Sequence, residues 1–584
     1  MPDDPLVIFD GRCGFCRIWI EYWKIITRGR VAYAPSQEVG TRYPQIPPQD
    51  FGQSVQLVMP SGAVLRGARA VFVTLTYAPG MAWLLWVYEH VPGFAAVSEA
   101  AYRLIAAHRT FFYHLTRVTF GKSIRPLETA KVEWLFLRLL GAIYLAAFAS
   151  LAVQITGLAG TRGILPLSGY LAGLSKALGA RAYWEAPTIF WVAHGDRILE
   201  AACWVGAGIS VLLISGLLAA YLERIALVSL YVLYLSLCTA GQDFLSFQWD
   251  SLLLEAGFLA IFLGNSKTVI LLFRWLLFRL MFLSGLVKLT SHDPVWRDRS
   301  AIAFHYFTQP LPTPLAWYMA QLPLAFQRWS TSVVLCIELA VPFLFFTPRR
   351  WRLVGAGLAS FLQILIFLTG NYTFFNLLTL ALCLFLLDDG ALEKLPFRVR
   401  PARTNVIAVW AVAVVILVLT ISELPPDSEN ALVRTAAPFQ IANTYGLFAS
   451  MTVTRPEIIV QGSNDGVTWL DYIFPYKPAA LDRPPRWVAP YQPRLDWQMW
   501  FAALGDYRSS PWFTNFMLRL LQGSPAVSGL LAKNPFPDAP PKYVRALLFD
   551  YRFTDFAERS ATGDWWKREP RGLFFPAISL ADVK

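Results

Sequence analysis

The sequence predicts a multi-domain protein: an N-terminal thioredoxin-like α/β domain, a central polytopic all-α membrane domain of about nine spans and a C-terminal soluble β-rich domain. Of the 584 residues, 55% are hydrophobic and only 15% are charged, which is far more apolar than soluble domains. Long apolar runs fill the middle of the chain, and segments rich in turn residues lie on either side. We place the domains at residues 1–125, 130–424 and 425–584.

The first domain begins with a strand, a turn that carries two cysteines, and a helix. The apolar run LVIF ends at DGR, the helical stretch CRIWIEYWKII follows, and a second strand, VAYA, comes next. The alternating runs of SVQLVMPSGAVLRG predict a hairpin that turns at Pro60, Ser61 and Gly62. Helical segments then run to about Leu115. Strand, helix, strand, hairpin and helices is the order of a small thioredoxin-like domain.

The middle of the chain contains nine apolar runs that could cross a hydrocarbon core of about 30 Å as helices. They lie at residues 135–156, 197–220, 222–240, 250–264, 268–290, 330–347, 352–369, 373–388 and 404–422. The fourth and eighth runs are short and could be partly re-entrant.

Charge in the connecting loops predicts the orientation, because lysine and arginine are retained on the cytoplasmic side. The loops after the second, fourth, sixth and eighth spans carry Arg224, then Lys267, then Arg349, Arg350 and Arg352, then Lys394, Arg398, Arg400 and Arg403. The short loops between them carry no basic residue. Asp3 and Asp4 open the chain without a basic, apolar leader, so we expect no signal peptide. We therefore expect a cell inner membrane protein whose N-terminus is cytoplasmic and whose C-terminal domain is exported.

The C-terminal segment predicts strands. The stretch IIVQGSNDGVTWLDYIF is a hairpin signal, in which Asn464, Asp465 and Gly466 suit a turn with positive φ. The stretch YVRALLFDYRFTD alternates in the same way and predicts another strand.

Cys13 and Cys16 lie after a strand and at a helix start, where helix amides stabilise a thiolate. We expect Cys13 to be the attacking thiol and Cys16 to be the resolving thiol. Half of a zinc site would need two more ligands, and no second CxxC or histidine pair lies in the first 125 residues. A vestigial pair is the other alternative.

Four charged residues fall inside predicted spans, where charges usually face a partner or a cavity. Counting depth along the spans predicts one ion pair between Glu255 and Lys288 and a second between Arg279 and Glu338. We interpret both as structural bridges between helices rather than as catalytic or transport groups.

Several function classes lack support. The net charge of +12 is spread along the chain beside apolar runs, which suits membrane topology better than a nucleic-acid partner. The sequence has no GxSxG elbow, P-loop, dinucleotide fingerprint or HExxH motif, so we expect no hydrolase, ATPase or zinc protease and no cofactor.

The stretch VIFDGRCGFC is similar to the DxxCxxC signature of the DCC family of thioredoxin-like thiol-disulfide oxidoreductases. Asp10, Cys13 and Cys16 fall on the named positions, so the resemblance implies that these three residues form the catalytic site. The later YRLIAAHRTFF resembles the closing helix of that family, with His108 where asparagine is more frequent.

Three long strings resemble the lipase maturation factor family: GQDFLSFQWDSLLLEAGFLAIF, GLVKLTSHDPVWRDRSAIAFHYFTQPLPTPLAWYMAQLP and KNPFPDAPPKYVRALLFDYRFT. The resemblance covers about 450 residues, from residue 130 onward. It implies a polytopic membrane protein that, in eukaryotic members, helps secreted lipases to reach an active fold. The fused thiol domain suggests a bacterial member.

The implied partners are the lipid bilayer and an unfolded or unassembled secreted protein, which we call the client. We expect the client to dock on the outer loops and the exported domain, where Asp243, Asp250, His292 and His305 are candidate contacts. The two histidines lack metal-ligand spacing, so we expect no metal. Because the predicted topology places the CxxC pair in the reducing cytoplasm, we expect it to act on a cytoplasmic thiol partner.

Three alternatives stay open. The protein could be primarily a thiol-disulfide oxidoreductase or a redox sensor. The stretch GLVKL is faintly similar to the vitamin K-dependent carboxylase-like superfamily, which would make Lys288 a base. Buried charges also resemble those of transporters.

Overall fold

The computed structural model describes residues 4–121, 124, 128–395, 399, 404–423 and 430–582. The chain forms two compact units, Met1–Glu128 with Phe346–Val354 and Thr129–Phe345 with Gly355–Lys584. The second unit therefore includes both the membrane segment and the C-terminal segment, which the sequence predicted as separate domains. Asp3 and three members of the predicted basic loops lie outside the described residues: Arg398, Arg400 and Arg403.

The first unit is built on a four-stranded sheet with the order β2-β1-β3-β4, in which β1 and β2 are parallel and the other pairs are antiparallel. The strands are β1 (Leu6–Phe9), β2 (Ala32–Pro35), β3 (Gln56–Val58) and β4 (Val64–Arg66). The helices are α1 (Gly14–Thr27), α2 (Ser36–Val39), α3 (Pro48–Gln53), α4 (Gly67–Thr76), α5 (Ala82–His90), α6 (Phe94–Ala107) and α7 (Arg109–Phe120). The predicted α/β region and its hairpin are both confirmed.

Helices cover both faces of this sheet, because alternate strand residues point to opposite sides. On one face Val7, Phe9 and Leu57 form a core with Ile20 of α1 and Ala70 of α4. On the other face the core residues are Leu6, Ile8, Val58, Ile46 and Phe51. The segment from residue 43 to residue 53 therefore lies on the side of the sheet opposite to α1 and α4.

The middle of the chain is helical. The helices are α8 (Ala130–Ala152), α9 (Ile155–Ala159), α10 (Leu167–Leu178), α11 (Ala182–Glu185), α12 (Asp196–Ser215), α13 (Ala220–Gly241), α14 (Gln248–Ala260), α15 (Lys267–Thr290), α16 (Pro294–Arg297), α17 (Ala301–Thr308), α18 (Pro314–Ala320), α19 (Leu324–Ala340), α20 (Arg349–Thr369), α21 (Phe375–Cys383) and α22 (Val406–Ser422). Within the described residues, six are long and apolar enough to cross a membrane: α8, α12, α13, α15, α19 and α20.

The expectation of nine full-length spans is not confirmed. The fourth, eighth and ninth predicted spans are present as the shorter helices α14, α21 and α22. Since an α-helix rises about 1.5 Å per residue, α14 is about 20 Å long, less than the thickness of a hydrocarbon core. The apolar sequence continues through the turn after α14, which is why sequence alone extends this span.

The C-terminal segment contains a four-stranded antiparallel sheet with the order β6-β5-β7-β8. Its elements are α23 (Ala431–Ala436), β5 (Pro456–Ser463), β6 (Leu470–Asp471), α24 (Arg494–Ala503), α25 (Pro511–Leu521), α26 (Pro525–Ser528), β7 (Tyr543–Phe553), α27 (Phe556–Thr562) and β8 (Trp566–Ile578). The predicted hairpin is β5 with β6, and Gly466 has the positive φ, +76°, that its turn requires. The region contains β-sheet, as predicted, and helices as well.

Candidate functional site

The two cysteines of the first unit lie at the start of α1. Cys13 is the N-cap residue, and its Sγ accepts a hydrogen bond from the backbone N–H of Cys16 at 3.5 Å. Both thiols are free and partly exposed. The strand β1 and the turn that follows it thus present one thiol at the positive end of a helix.

The two thiols differ strongly in acidity. Hydrogen bonding to the Cys16 side chain lowers the pKa of Cys13 from 9.0 to about 6, with help from backbone N–H groups and the positive charge of Arg109. The same interaction and burial raise the pKa of Cys16 far above its usual range. At neutral pH Cys13 is therefore a thiolate and Cys16 a protonated thiol. These acidities support Cys13 as the attacking group and Cys16 as the resolving group.

Asp10 shapes the turn before the cysteines. Its Oδ1 accepts hydrogen bonds from the Arg12 backbone N–H at 3.0 Å and from Gln37 Nε2 at 2.9 Å. Gln37 Oε1 in turn accepts the backbone N–H of Gly11 at 3.0 Å. Asp10 Oδ2 lies 3.9 Å from a guanidinium nitrogen of Arg109. Asp10 is thus a positioning residue for the turn.

Helix α7 supplies two further groups, which sequence reasoning missed. Besides Arg109, it provides Tyr113, and a Cβ built on Gly14 would lie 2.9 Å from the Tyr113 ring. Glycine between the two cysteines therefore allows the aromatic ring to approach closely. His108, which the sequence singled out, is exposed between α6 and α7, and its Nδ1 lies 3.1 Å from the carbonyl of Leu104 in α6. The polar group of the closing helix near the thiols is its neighbour, Arg109.

In the second unit, four intramembrane charges pair differently from the prediction. Arg279 pairs with Glu255, and Lys288 Nζ lies 2.5 and 2.6 Å from the two carboxylate oxygens of Glu338. The predicted pairs, Glu255 with Lys288 and Arg279 with Glu338, are wrong.

The depth of Glu255 along α14 accounts for the difference. Glu255 lies about 10 Å from the start of α14, which is nearly two helical turns, whereas the prediction placed it one turn from that end. Lys288 lies only about 3 Å from the end of α15, and Arg279 lies about 16 Å from it. Glu255 is therefore deeper than Lys288 when the two helix ends are level, and it meets Arg279 instead.

Two residues of the segment after α23 complete the Glu255 cluster. The carbonyl of Asn443 accepts a hydrogen bond from Arg279 at 2.7 Å. The hydroxyl of Tyr445 and the side-chain amide of Asn443 donate to Glu255 Oε2 at 2.8 and 3.2 Å. Neither residue was predicted to take part in this cluster, and no local sequence pattern around them indicates that role. The cluster ties the C-terminal segment to α14 and α15.

Asp250 is not a surface residue, so its predicted role as a client contact is wrong. Asp250 is 1% exposed. Its carboxylate accepts hydrogen bonds from both terminal guanidinium nitrogens of the fully buried Arg494, at 3.0 and 3.1 Å. The hydroxyl of Tyr234 donates to the same carboxylate at 2.5 Å. Arg494 also donates to the Phe244 carbonyl at 2.7 Å. A buried charge needs such partners, and Arg494 reaches this one from the C-terminal segment.

Of the three remaining candidates for client contact, two are exposed and one is packed against aromatic side chains. Asp243 and His292 are exposed, as expected. His305 instead has its Nε2 3.0 Å from the Tyr372 hydroxyl, and its ring stacks on Tyr372 and meets the edge of Phe448. Burial, with the charge of Lys288, lowers the pKa of His305 to about 4, so this histidine is neutral at pH 7. His305 is a packed residue rather than a solvated one. In the described part of the chain, no three His, Cys, Asp or Glu residues cluster as metal ligands.

The loop between α15 and α19 binds the C-terminal segment at several points. Trp296 Nε1 donates to the Phe448 carbonyl at 3.0 Å. Gln321 Nε2 donates to the Thr554 carbonyl at 3.1 Å. Trp500 Nε1 donates to the carbonyl of Thr308 at 2.8 Å. This loop and the C-terminal segment therefore form one continuous structure.

An aromatic patch lies on this structure. It consists of Trp317 and Tyr318 of α18, Phe556 and Arg559 of α27, and Trp565. The Trp317 ring centroid is 5.1 Å from that of Phe556 and 5.3 Å from that of Trp565. The Arg559 guanidinium lies 3.5 Å from the Trp565 centroid. Tyr318 and Phe556 are 45% and 57% exposed, so the patch presents apolar area to the surroundings.

Three family models match successive regions of the chain. The model of the lipase maturation factor transmembrane domain matches residues 131–394, and that of the lipase maturation factor C-terminal domain matches residues 441–576. The model of DCC1-like thiol-disulfide oxidoreductases matches residues 7–115. No solved structure matches the chain.

Curated relatives agree with the family models. Lipase maturation factor 2 of Gallus gallus is 36% identical over an alignment that covers 77% of this chain and 81% of the relative. Lipase maturation factor 2 of Homo sapiens is also 36% identical, with 77% and 82% covered. Lipase maturation factor 1 of Bos taurus is 35% identical, with 77% and 89% covered. The chain is therefore a multi-pass membrane protein of the lipase maturation factor family, with a DCC1-like thiol-disulfide oxidoreductase domain at its N-terminal end.

Proposed function

We propose that this protein is a membrane-embedded maturation factor that helps secreted proteins such as lipases to fold or assemble. Its relatives carry that function in their names, and the identity extends over most of their length. The aromatic patch supports this proposal because it offers a surface for client binding. The patch joins the loop between α15 and α19 to the C-terminal sheet. An unfolded or unassembled client exposes apolar side chains, and exposed aromatic rings flanked by an arginine suit their capture.

We propose further that the chain crosses the bilayer nine times, with α14, α21 and α22 as short crossings. Contacts with the first span support the first two. At the start of α8, the Lys131 backbone N–H donates to Asp389 after α21 at 2.9 Å, and Glu133 accepts from the Asn265 backbone N–H after α14 at 3.0 Å. The chain after both short helices therefore lies at the depth where α8 begins.

Contacts at the other end of α8 support the same proposal. Gln154 donates to the Gln492 carbonyl at 2.8 Å and accepts the backbone N–H of Arg494 at 2.9 Å. Arg494 pairs with Asp250 at the start of α14. The helix α14 thus begins at the depth where α8 ends, so α14 with the turn after it covers the depth of a full span.

This arrangement also supports termini on opposite sides of the membrane. The thiol domain precedes the start of α8, and the C-terminal segment contacts the end of α8. The basic loop before α20 faces the same side as the thiol domain in this topology, which makes that side cytoplasmic. The client surface is then exported, on the outer face of a cell inner membrane.

Substitution in the aromatic patch tests the maturation proposal. In cells that lack this gene, Phe556→Asp should fail to restore active secreted lipase, because a buried carboxylate would weaken client contact. The matched control is Leu573→Asp on β8, which changes a residue of similar exposure, 59%, about 23 Å along the strand from Trp566. Full activity with Phe556→Asp, at wild-type protein level in the membrane, would exclude the patch as the client site.

A second function, thiol-disulfide exchange, is supported by the acidities of the two cysteines. The Cys13 thiolate attacks one sulfur of a partner disulfide, which breaks that bond, and the released partner thiolate takes up a proton. Cys16 then loses its proton and attacks Cys13 Sγ, which closes the Cys13–Cys16 disulfide and releases the second partner thiol. The partner gains two electrons and the pair loses two, so a cellular dithiol must reduce the pair again.

Mechanism-based trapping tests this exchange. A Cys16→Ser chain should accumulate mixed disulfides with its partner, because the resolving thiol is missing, and a Cys13→Ser chain should accumulate none. Equal trapping by both variants would argue against Cys13 as the attacking group.

The contacts of Lys288 favour a structural bridge over the role of a base. Its ammonium is held by both oxygens of Glu338, and it lies 5.2 Å from the Trp296 ring centroid. A base must present a free electron pair to a substrate, whereas the Lys288 amine is engaged by the Glu338 carboxylate and the Trp296 ring.

A further inference from the structure

Three consecutive helices of the first unit expose large apolar side chains. Their exposed fractions range from 44% to 68%. They are Trp83 and Trp86 on α5, Val97 and Leu104 on α6, and Phe111, Leu115 and Val118 on α7. A water-soluble domain rarely exposes so many large apolar groups on neighbouring elements, so this apolar surface needs a partner.

Helix α7 has two distinct faces. Phe111, Leu115 and Val118 follow the spacing i, i+4, i+7 and therefore share one exposed face. Arg109 and Tyr113 lie about 160° to 200° around the helix from Phe111, since each residue turns about 100°. Their face contacts the thiol site. Whatever covers the apolar face thus lies directly behind the cysteines.

A short connection joins this surface to a membrane span. Helix α7 ends at Phe120 and the first span begins at Ala130, so nine residues join them. An extended chain of nine residues reaches at most about 32 Å, so the first unit is tethered to the bilayer by a short linker. Exposed Trp side chains are typical of segments that lie at a membrane interface, and α5 exposes Trp83 and Trp86.

We propose that the exposed faces of α5, α6 and α7 lie in the interfacial layer of the bilayer that this chain crosses. This contact buries the apolar surface and holds the thiol site at a fixed height beside the membrane. The same contact confines the site to disulfides that are presented within about one helix diameter, roughly 10 Å, of the membrane surface, such as those of membrane-bound proteins. This last step rests on the proposed thiol exchange.

Depth-dependent quenching tests the docking in the full chain. A fluorescent non-natural residue replaces Leu115 in proteoliposomes of phosphatidylcholine, with and without brominated acyl chains. The matched control carries the probe at Gln45, which is exposed in the segment on the opposite face of the sheet. We expect brominated lipid to quench the Leu115 probe at least about twofold more than the Gln45 probe, and aqueous iodide to do the reverse.

Two outcomes would overturn the proposal. Iodide quenching of the Leu115 probe equal to that of the Gln45 probe would mean that water covers the surface. Protection of the Leu115 probe from both quenchers would mean that protein covers it, either a second copy or another part of this chain. Neither readout depends on thiol chemistry, and a Cys13→Ser chain should give the same quenching. Failure of docking is therefore distinguishable from failure of the exchange function.

Discussion

The acidity of Cys13 gives a quantitative prediction for its alkylation. With a pKa of about 6, some 90% of Cys13 is thiolate at pH 7, whereas a thiol with a pKa of 9.0 is about 1% thiolate. A less basic thiolate is also a weaker nucleophile, by about 20-fold over three pKa units. The two effects leave Cys13 only about fourfold faster than an ordinary cysteine at pH 7. At pH 5 the thiolate ratio rises to about 900, so the net advantage rises to about 40-fold.

The assay is iodoacetamide labelling of the full chain in detergent, read for each cysteine by peptide mass spectrometry. The internal reference is a cysteine introduced at the exposed Gln45, far from the helix terminus of α1. We expect the labelling rate of Cys13 to rise with pH around a midpoint near 6, and that of the reference around 8.5 to 9. Coincident midpoints for the two cysteines would refute the argument that the start of α1 and Cys16 stabilise a thiolate.

Three further predictions follow from charged residues. Arg109→Leu should move the labelling midpoint of Cys13 upward, because a nearby positive charge is lost, whereas Arg109→Lys should keep the midpoint near the wild-type value. Asp250→Asn should lower stability by about 3–5 kcal/mol, seen as a lower melting temperature in detergent, since Arg494 is left buried without a charge partner. Burial raises the pKa of Asp496 from 3.8 to about 6. Its contribution to stability should therefore fall as pH rises from about 4 to 6, and the melting temperature of Asp496→Asn should not share this decline.

The elements of the thiol domain were predictable because their causes are local. A strand followed by CGFC, a hairpin turning at Gly62 and a helix start at Cys13 each depend on a few neighbouring residues. The partners Gln37 and Arg109 come from distant elements, and only the folded sheet brings them to Asp10.

In the membrane unit, the sequence identified the buried charged residues but not the partner with which each forms an ion pair. Apolar runs mark the helices, and a charge inside such a run indicates a buried partner. Which partner it meets depends on where each helix begins, and the apolar sequence did not show that α14 begins at Gln248, before the predicted span at residue 250. Asp250 looked like a loop residue because its partner, Arg494, lies 244 residues away in a segment that reads as soluble.

The maturation function is tested most directly by comparing secreted enzymes from cells with and without this gene. Exported lipases and other enzymes would be quantified both by amount and by specific activity, with transcript levels measured in parallel. We expect a small set of exported enzymes to lose activity at unchanged transcript level without this gene, and the wild-type chain to restore that activity. An unchanged set of active secreted enzymes, alongside an altered thiol redox state inside the cell, would contradict the maturation function and leave thiol exchange as the activity of this chain.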